Sequence, residues 1–324
     1  MRALVCSRFG PVGDLAVEER PQPAPAEREV VVRVEAAGLN YPDALMVQGK
    51  YQVKPSLPFV PGLELAGTVL ALGAGVEGWR PGDAVMATVQ AGAFAEACLV
   101  PADRLMRRPV AIPPEVAAAA LITYGTSYHA LKDRARLQPG ETVLVLGAAG
   151  GVGTAAVELA KLMGARVIAA ASSPAKLDLC RRLGADALID YATEPLRERL
   201  KELTGGAGID VVYDPVGGAS AEVALRATGW DGRYLVIGFA GGEIPRVPLN
   251  LALLNARSIL GVYWGEWSAR SRQASQANFA RLAEWIAAGA LRPTISERLP
   301  MAEVPRAMLD LLERRAQGKL VVVP

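Results

Sequence analysis

Residues Thr142–Lys161 read TVLVLGAAGGVGTAAVELAK: five residues of apolar strand, a glycine-rich turn, then a helix whose small residues face the strand. Phosphate binding requires this geometry. Gly150 lets the backbone approach a pyrophosphate with no Cβ in the way, Gly153 lets helix and strand pack closely, and the helix N-terminus offers unpaired N–H groups and a partial positive charge. The dinucleotide fingerprint is imperfect, because Ala148 stands where its first glycine belongs and Gly147 lies one place earlier. A glycine pattern alone is weak evidence, but this one follows a strand, opens a helix and begins a series of alternating elements, which is the context that gives it meaning.

Outward from that loop, strands are predicted at Thr142 to Leu146, Arg166 to Ala170, Ala187 to Ile189, Asp210 to Tyr213 and Arg233 to Ile237, with helices between them. That alternation predicts an α/β unit, a doubly wound parallel sheet. Ser173-Pro174 reads as an N-cap followed by a first-turn proline, and Gly184 as the stop of the same helix. NAD-selective sites place an acid at the end of the second strand, where it binds the ribose 2′-hydroxyl. Here that strand runs out as Ala169-Ala170-Ala171-Ser172-Ser173-Pro174-Ala175-Lys176. Two hydroxyls and an ammonium suit a 2′-phosphate that a carboxylate would repel, so NADPH is the expected cofactor. Ser173 as a plain helix cap and Lys176 as a solvated surface charge remain open.

Before residue 120 the pattern changes to short β-branched strands separated by Gly and Pro, such as Glu29 to Ala36, Gly67 to Ala71 and Asp83 to Thr88. These predict a compact, mostly antiparallel, barrel-like unit. Beyond the parallel strands come a strand over Ser258 to Trp264, a helix from Ser271 to Gly289, a strand at Thr294 to Leu299, an amphipathic helix from Ala302 to Ala316 and a last strand at Leu320 to Val323. The tail is expected to return to the N-terminal unit, so that residues 1–122 are completed by 266–324 and a nucleotide-binding domain at 123–265 is an insertion. A chain of 324 residues is about right for two domains at roughly 150 residues each.

Lys and Arg number 35 against 33 Asp and Glu, a net charge of +2, far from the basic field that nucleic-acid binding needs. No apolar run reaches the roughly 18 residues of a membrane span, and the N-terminus lacks the apolar stretch of a signal peptide. Cys6, Cys98 and Cys180 lie far apart, with no CxxC pair. Neither a disulfide framework nor a zinc cage is indicated, and a cytoplasmic setting is expected.

Along essentially its whole length the sequence resembles the zinc-independent quinone oxidoreductases of the medium-chain dehydrogenase/reductase superfamily. The segments that carry the resemblance are AGLNYPD (37–43), QGKY (48–51), LPFVPG (57–62), GAFAE (92–96), the loop 147–153, VVYDPVGG (211–218) and GKLVV (318–322). The resemblance implies a GroES-like, mostly-β barrel catalytic domain with an inserted Rossmann domain. Zinc-dependent members place a cysteine ligand where this chain has Asn40 and a histidine ligand where it has Leu63, and neither replacement supplies a soft donor. The only histidine, His129, reads as structural.

The resemblance also assigns residues. Ala149, Gly150, Gly151 and Val152 are expected at the pyrophosphate, and Ser172, Lys176 and Tyr191 around the 2′-phosphate and its ribose. Gly218, Phe239, Ala240, Val262, Tyr263 and Trp264 are expected along the ribose and carboxamide, with Thr123 and Thr126 near the nicotinamide. Arg315 and Lys319 are further candidates for the 2′-phosphate, although Glu313-Arg314-Arg315 also reads as an ordinary solvated helix end. Asn40 and Tyr51 fall at the substrate pocket: Tyr51 as hydrogen-bond donor to the acceptor's oxygen, Asn40 as an orienting group, with a turn cap and a packing ring as their plain alternatives. The implied reaction is hydride transfer from NADPH to a quinone or similar conjugated carbonyl by a homodimer. An enone or enoyl-thioester reductase and a non-catalytic, crystallin-like NADPH-binding protein are the rival readings.

Overall fold

The computed structural model describes residues 1–324, which divide into two compact units, Met1–Ile122 with Pro293–Pro324 and Thr123–Arg292. In the first unit the organising element is the strand Glu29–Leu39, EVVVRVEAAGL, whose β-branched run is almost wholly buried. One of its edges pairs antiparallel with Glu64–Leu72; Ala97–Pro101 and Lys319–Val323 pair with it at its two ends. Ala84–Thr88 and Leu105–Arg107 extend the sheet on one flank and Ile295–Pro300 on the other, with seven strands in all. Val30, Val32, Leu65, Phe94 and Met46 fill the interior of this barrel-like unit.

The second unit is a six-stranded parallel sheet, in spatial order Ala187–Asp190, Arg166–Ala171, Thr142–Leu146, Ile209–Asp214, Thr228–Val236 and Ser258–Gly261. Numbered within the unit this is 3-2-1-4-5-6, the doubly wound order, and its switch point lies between Thr142–Leu146 and Ile209–Asp214. Val143, Leu144, Val145, Val211, Val212 and Tyr213 are fully buried, as strands covered by helices on both faces must be.

Of the boundaries that differ from those read in the sequence, two decide where the second unit ends. The last parallel strand ends at Gly261, and Trp264 opens a helix, Trp264–Arg270. The chain turns there to bury the Trp264 indole edge-on against Phe279, at 5.9 Å between ring centroids, and over Gly125. The return to the first unit comes at residue 293, not 266, because the helix Arg272–Ala287 packs within the second unit. Asn278 of that helix donates to Asp133 and accepts from Lys132, and Trp285 meets Tyr128 edge-on.

A Cβ on Gly153 would lie 2.3 Å from the Gly147 carbonyl oxygen, so that oxygen's place against the helix depends on glycine at 153. Gly153→Ala is therefore expected to lower stability by about 1–3 kcal/mol, the usual cost of overpacking a rigid contact, as read by urea denaturation. An unchanged midpoint would show that the turn can relax.

Candidate functional site

The glycine turn sits at the carboxyl end of the first parallel strand, at the switch point. Gly147 takes φ +56°, the Gly150 N–H closes onto the Gly147 carbonyl at 3.0 Å, and Gly150 caps the helix Gly151–Leu162. The N–H groups of that helix's first turn have no intrahelical partner. Gly150, Gly151 and Val152 are half-buried, whereas Ala149 is buried beneath them.

Across the switch point the loop after Ile209–Asp214 is pinned by its own aspartate. Asp214 Oδ1 accepts from the N–H groups of Val216 (2.7 Å) and Gly217 (2.9 Å), and Oδ2 accepts a short hydrogen bond from the Tyr234 hydroxyl. Burial, with the Asp214 charge beside it, pushes the Tyr234 phenol well above its ordinary range, so it remains a donor. Gly217 and Gly218 both take positive φ there. The Phe239 ring lies against Gly217, and Ala240 N–H donates to Pro215 O at 3.0 Å, which brings Phe239 and Ala240 to Gly218. Val262 joins the same end of the sheet through a 3.0 Å bond to Val236; beside it Tyr263 is half-exposed and Trp264 buried.

At the end of the second strand, Lys176 Nζ donates to Ser172 Oγ at 3.1 Å, and Tyr191 N–H donates to the neighbouring Ala171 carbonyl. Ser172, Lys176 and Tyr191 therefore share one corner of the sheet. Asp190, beside Tyr191, is buried, and its Oδ1 accepts from the N–H of Ala192 at 3.0 Å. Ser127 escaped the sequence reading. Its hydroxyl lies within hydrogen-bond distance of the carbonyls of Thr123 (2.8 Å) and Val152 (3.0 Å), which share its one proton, and of the Tyr213 hydroxyl (2.8 Å), tying the helix that carries Thr123 and Thr126 to the glycine turn. No pattern in TYGTSY distinguishes that serine from its neighbours. His129 Nδ1–H donates to Asp133 Oδ2 (2.9 Å) and the ring stacks on Trp267, a structural setting whose burial lowers the imidazole pKa.

In the first unit a second cluster forms around Asn40. Lys319 Nζ donates to Asn40 Oδ1 (2.5 Å) and Glu64 Oε1 (2.6 Å), and Asn40 Nδ2 donates to Glu64 Oε1 (2.7 Å) and the Gly38 carbonyl (3.2 Å). Glu64 Oε2 accepts from Ile122 N–H at 2.8 Å. A Cβ on Gly38 would fall 2.2 Å from Glu64 Oε1, so the carboxylate reaches Asn40 only past a glycine. Asp43 accepts from Asn40 N–H at 2.7 Å through Oδ2, while its Oδ1 has no hydrogen-bond partner. Lys319 is 4% exposed and enclosed by these groups, which removes it as a surface partner for a 2′-phosphate. Arg315 is exposed and paired with Asp310 and Glu313, as a solvated helix end would be. Tyr51 is half-buried against the first unit's core. No three His, Cys, Asp or Glu side chains are grouped so as to hold a metal ion.

Burial pushes the Asp43 carboxyl up to about 7, with Glu64 adding to the rise and the Asn40 N–H and Lys319 opposing it. The folded state thus holds this proton more tightly than the unfolded chain. The resulting stabilisation is full below the ordinary carboxyl value and disappears as pH rises through about 7. Asp43→Asn keeps an acceptor for Asn40 N–H and removes the titration. Wild-type stability is expected to fall relative to the variant by at most about 1.4 kcal/mol per pH unit between those limits, in urea titrations across that range. A difference that does not change with pH would mean that Asp43 stays charged throughout.

Comparison with known proteins places this geometry. The family model for the alcohol dehydrogenase GroES-like domain matches residues 26–110, and that for zinc-binding dehydrogenases matches residues 151–286. A quinone oxidoreductase-like protein 2 homolog of Nematostella vectensis is 39% identical, over 99% of this chain and 88% of its own length. A quinone oxidoreductase of Pseudomonas aeruginosa is 37% identical over 94% of each chain. The crystal structure of Escherichia coli quinone oxidoreductase complexed with NADPH superposes with a TM-score of 0.94 at 30% identity, covering both chains completely. With the GroES-like unit, the 3-2-1-4-5-6 parallel sheet and asparagine and leucine at positions 40 and 63, the chain belongs to the zinc-independent quinone oxidoreductase family of the medium-chain dehydrogenase/reductase superfamily, a family of oxidoreductases.

Proposed function

We propose that this protein transfers a hydride from NADPH to a quinone or a similar conjugated carbonyl, without zinc. The observation that carries the reading is the corner after Arg166–Ala171, where a hydroxyl and an ammonium stand together and the strand ends in no acid. That donor set fits a 2′-phosphate, and the open helix N-terminus beside the glycine turn fits a pyrophosphate. The relatives named above as quinone oxidoreductases, one of them bound to NADPH, support the same reading.

NADPH, when bound, supplies the hydride. The protein's part is to bind and aim it. Gly150, Gly151 and Val152 would hold the pyrophosphate, and Ser172, Lys176 and Tyr191 would hold the 2′-phosphate and its ribose. Gly218, Phe239 and Ala240, with the backbone of Val262, Tyr263 and Trp264, would hold the ribose and carboxamide. Thr126 would serve the nicotinamide. A conjugated carbonyl gains negative charge on oxygen as hydride arrives at carbon, and a donor placed at that oxygen stabilises it. Tyr51 is proposed as that donor and Asn40 as an orienting group; Asn40 acts through its fixed backbone and carboxamide, since both its amide protons are already directed at Glu64 and Gly38.

The proposed working form is a homodimer in a reducing cytosol. Ser258–Gly261 is an edge strand of the parallel sheet, and Leu253, Leu254, Ile259 and Tyr263 beside it are exposed. An unpaired edge rimmed by apolar side chains suits an isologous partner. Cys6, Cys98 and Cys180 are buried free thiols, and no helix is long and apolar enough to cross a membrane.

NADPH oxidation assayed in parallel with a naphthoquinone and a crotonyl thioester tests the reading. Turnover with the quinone is expected; turnover with the thioester alone assigns an enoyl reductase, and binding without turnover a non-catalytic protein. Tyr51→Phe is expected to lower kcat about a hundredfold with weak acceptors, the modest end of general-acid contributions. Full turnover with every acceptor would end its role as donor. Ser172→Ala with Lys176→Ala is expected to weaken NADPH binding about tenfold or more and to leave NADH binding unchanged, as read by cofactor fluorescence, because charge-assisted bonds to phosphate are lost.

A further inference from the structure

Lys319 is the only buried lysine or arginine in the protein, and it sits far from the nucleotide residues in sequence, on the last strand. An ion pair at that depth does not need to be there for stability: hydrophobic replacements of buried pairs are often neutral or better. Its geometry is specific. The ammonium donates to Asn40 Oδ1 and to Glu64 Oε1, and Asn40 Nδ2 donates to that same Glu64 oxygen, closing a ring of three hydrogen bonds. The ring admits one orientation of the Asn40 carboxamide. Turned over, its NH₂ would face the ammonium and its oxygen would face the carboxylate, both repulsive. Asn40 opens the helix Tyr41–Val47, and Tyr51 follows that helix directly. Glu64 begins the strand Glu64–Leu72 and holds Ile122 N–H, so one cation ties together the starts of three elements and the segment that leads to Tyr51.

We propose that Lys319 is a positioning residue for turnover: its ammonium locks the Asn40 carboxamide and the segment leading to Tyr51 in the orientation that acceptor reduction needs. The inference rests on the functional reading above, in which Asn40 and Tyr51 serve the acceptor. It assigns the charge, rather than the bulk, of Lys319 as the requirement, so the space left by removing the side chain is a site for a small alkylammonium ion.

The test uses the full-length protein as wild type, Lys319→Ala, and Lys319→Met combined with Glu64→Gln. The double substitution leaves no lone buried charge and is expected to keep the fold. Both altered proteins are expected to bind NADPH like wild type, by fluorescence titration, and to show kcat for naphthoquinone reduction lower by about tenfold to a hundredfold, the scale of a misplacement near 1 Å. n-Propylammonium is expected to raise kcat of Lys319→Ala saturably, whereas tetramethylammonium at equal ionic strength does not. Wild-type kcat in the double variant would overturn the proposal, since neutralising Glu64 would then be all that Lys319 does. So would n-propylammonium that leaves kcat of Lys319→Ala where it was. A wild-type protein with no quinone turnover overturns the functional reading, and this inference with it.

Discussion

The contact on which the nucleotide-binding unit depends is backbone to backbone: the Gly147 carbonyl lies against the helix at Gly153, with no room for a Cβ between them. That approach sets how near the helix Gly151–Leu162 comes to the strand Thr142–Leu146, and so where its N-terminus points. Everything else at the switch point is arranged around it. Asp214 holds the facing loop through two backbone N–H groups, and Ser127 reaches the carbonyl of Val152 from a third element. A phosphate site built on main chain needs such rigid neighbours, because its donors have no rotamers with which to adjust.

The first unit solves a different problem. It must place polar groups in a buried interior. Asn40, Glu64 and Lys319 satisfy one another there, and the glycine at 38 gives the carboxylate room. Asp43 is the member left incompletely satisfied, and its raised pKa expresses that burial. The charge carried by a side chain on the last strand thus sets the conformation of a segment that begins at residue 40.

Much of this was legible in the sequence, for physical reasons that differ by element. The parallel strands could be read because apolar runs bounded by glycine turns leave few alternatives, and the pairing of Ser172 with Lys176 because the two lie four residues apart on one stretch of chain. Trp264 could not be placed. Its strand-like neighbours gave no sign that the indole turns inward over Gly125, and only the facing Phe279 explains it. The return near residue 293 was missed for the same reason, since the helix Arg272–Ala287 takes its partners from tertiary packing. The Asn40, Glu64 and Lys319 ring spans 279 residues between Lys319 and Asn40, and no local pattern records such a contact. Lys319 reads in the sequence as a candidate for the 2′-phosphate, and only its partners place it in the first unit's interior.

The central claim is that this fold binds a nicotinamide cofactor by its 2′-phosphate so that it can deliver hydride. The most direct measurement is a fluorescence titration of the wild-type protein with NADPH and with NADH under one set of conditions. The account predicts a Kd for NADPH at least about tenfold lower, a difference of roughly 1.4 kcal/mol. Equal affinities would contradict it, for the Ser172 hydroxyl and the Lys176 ammonium would then serve only each other.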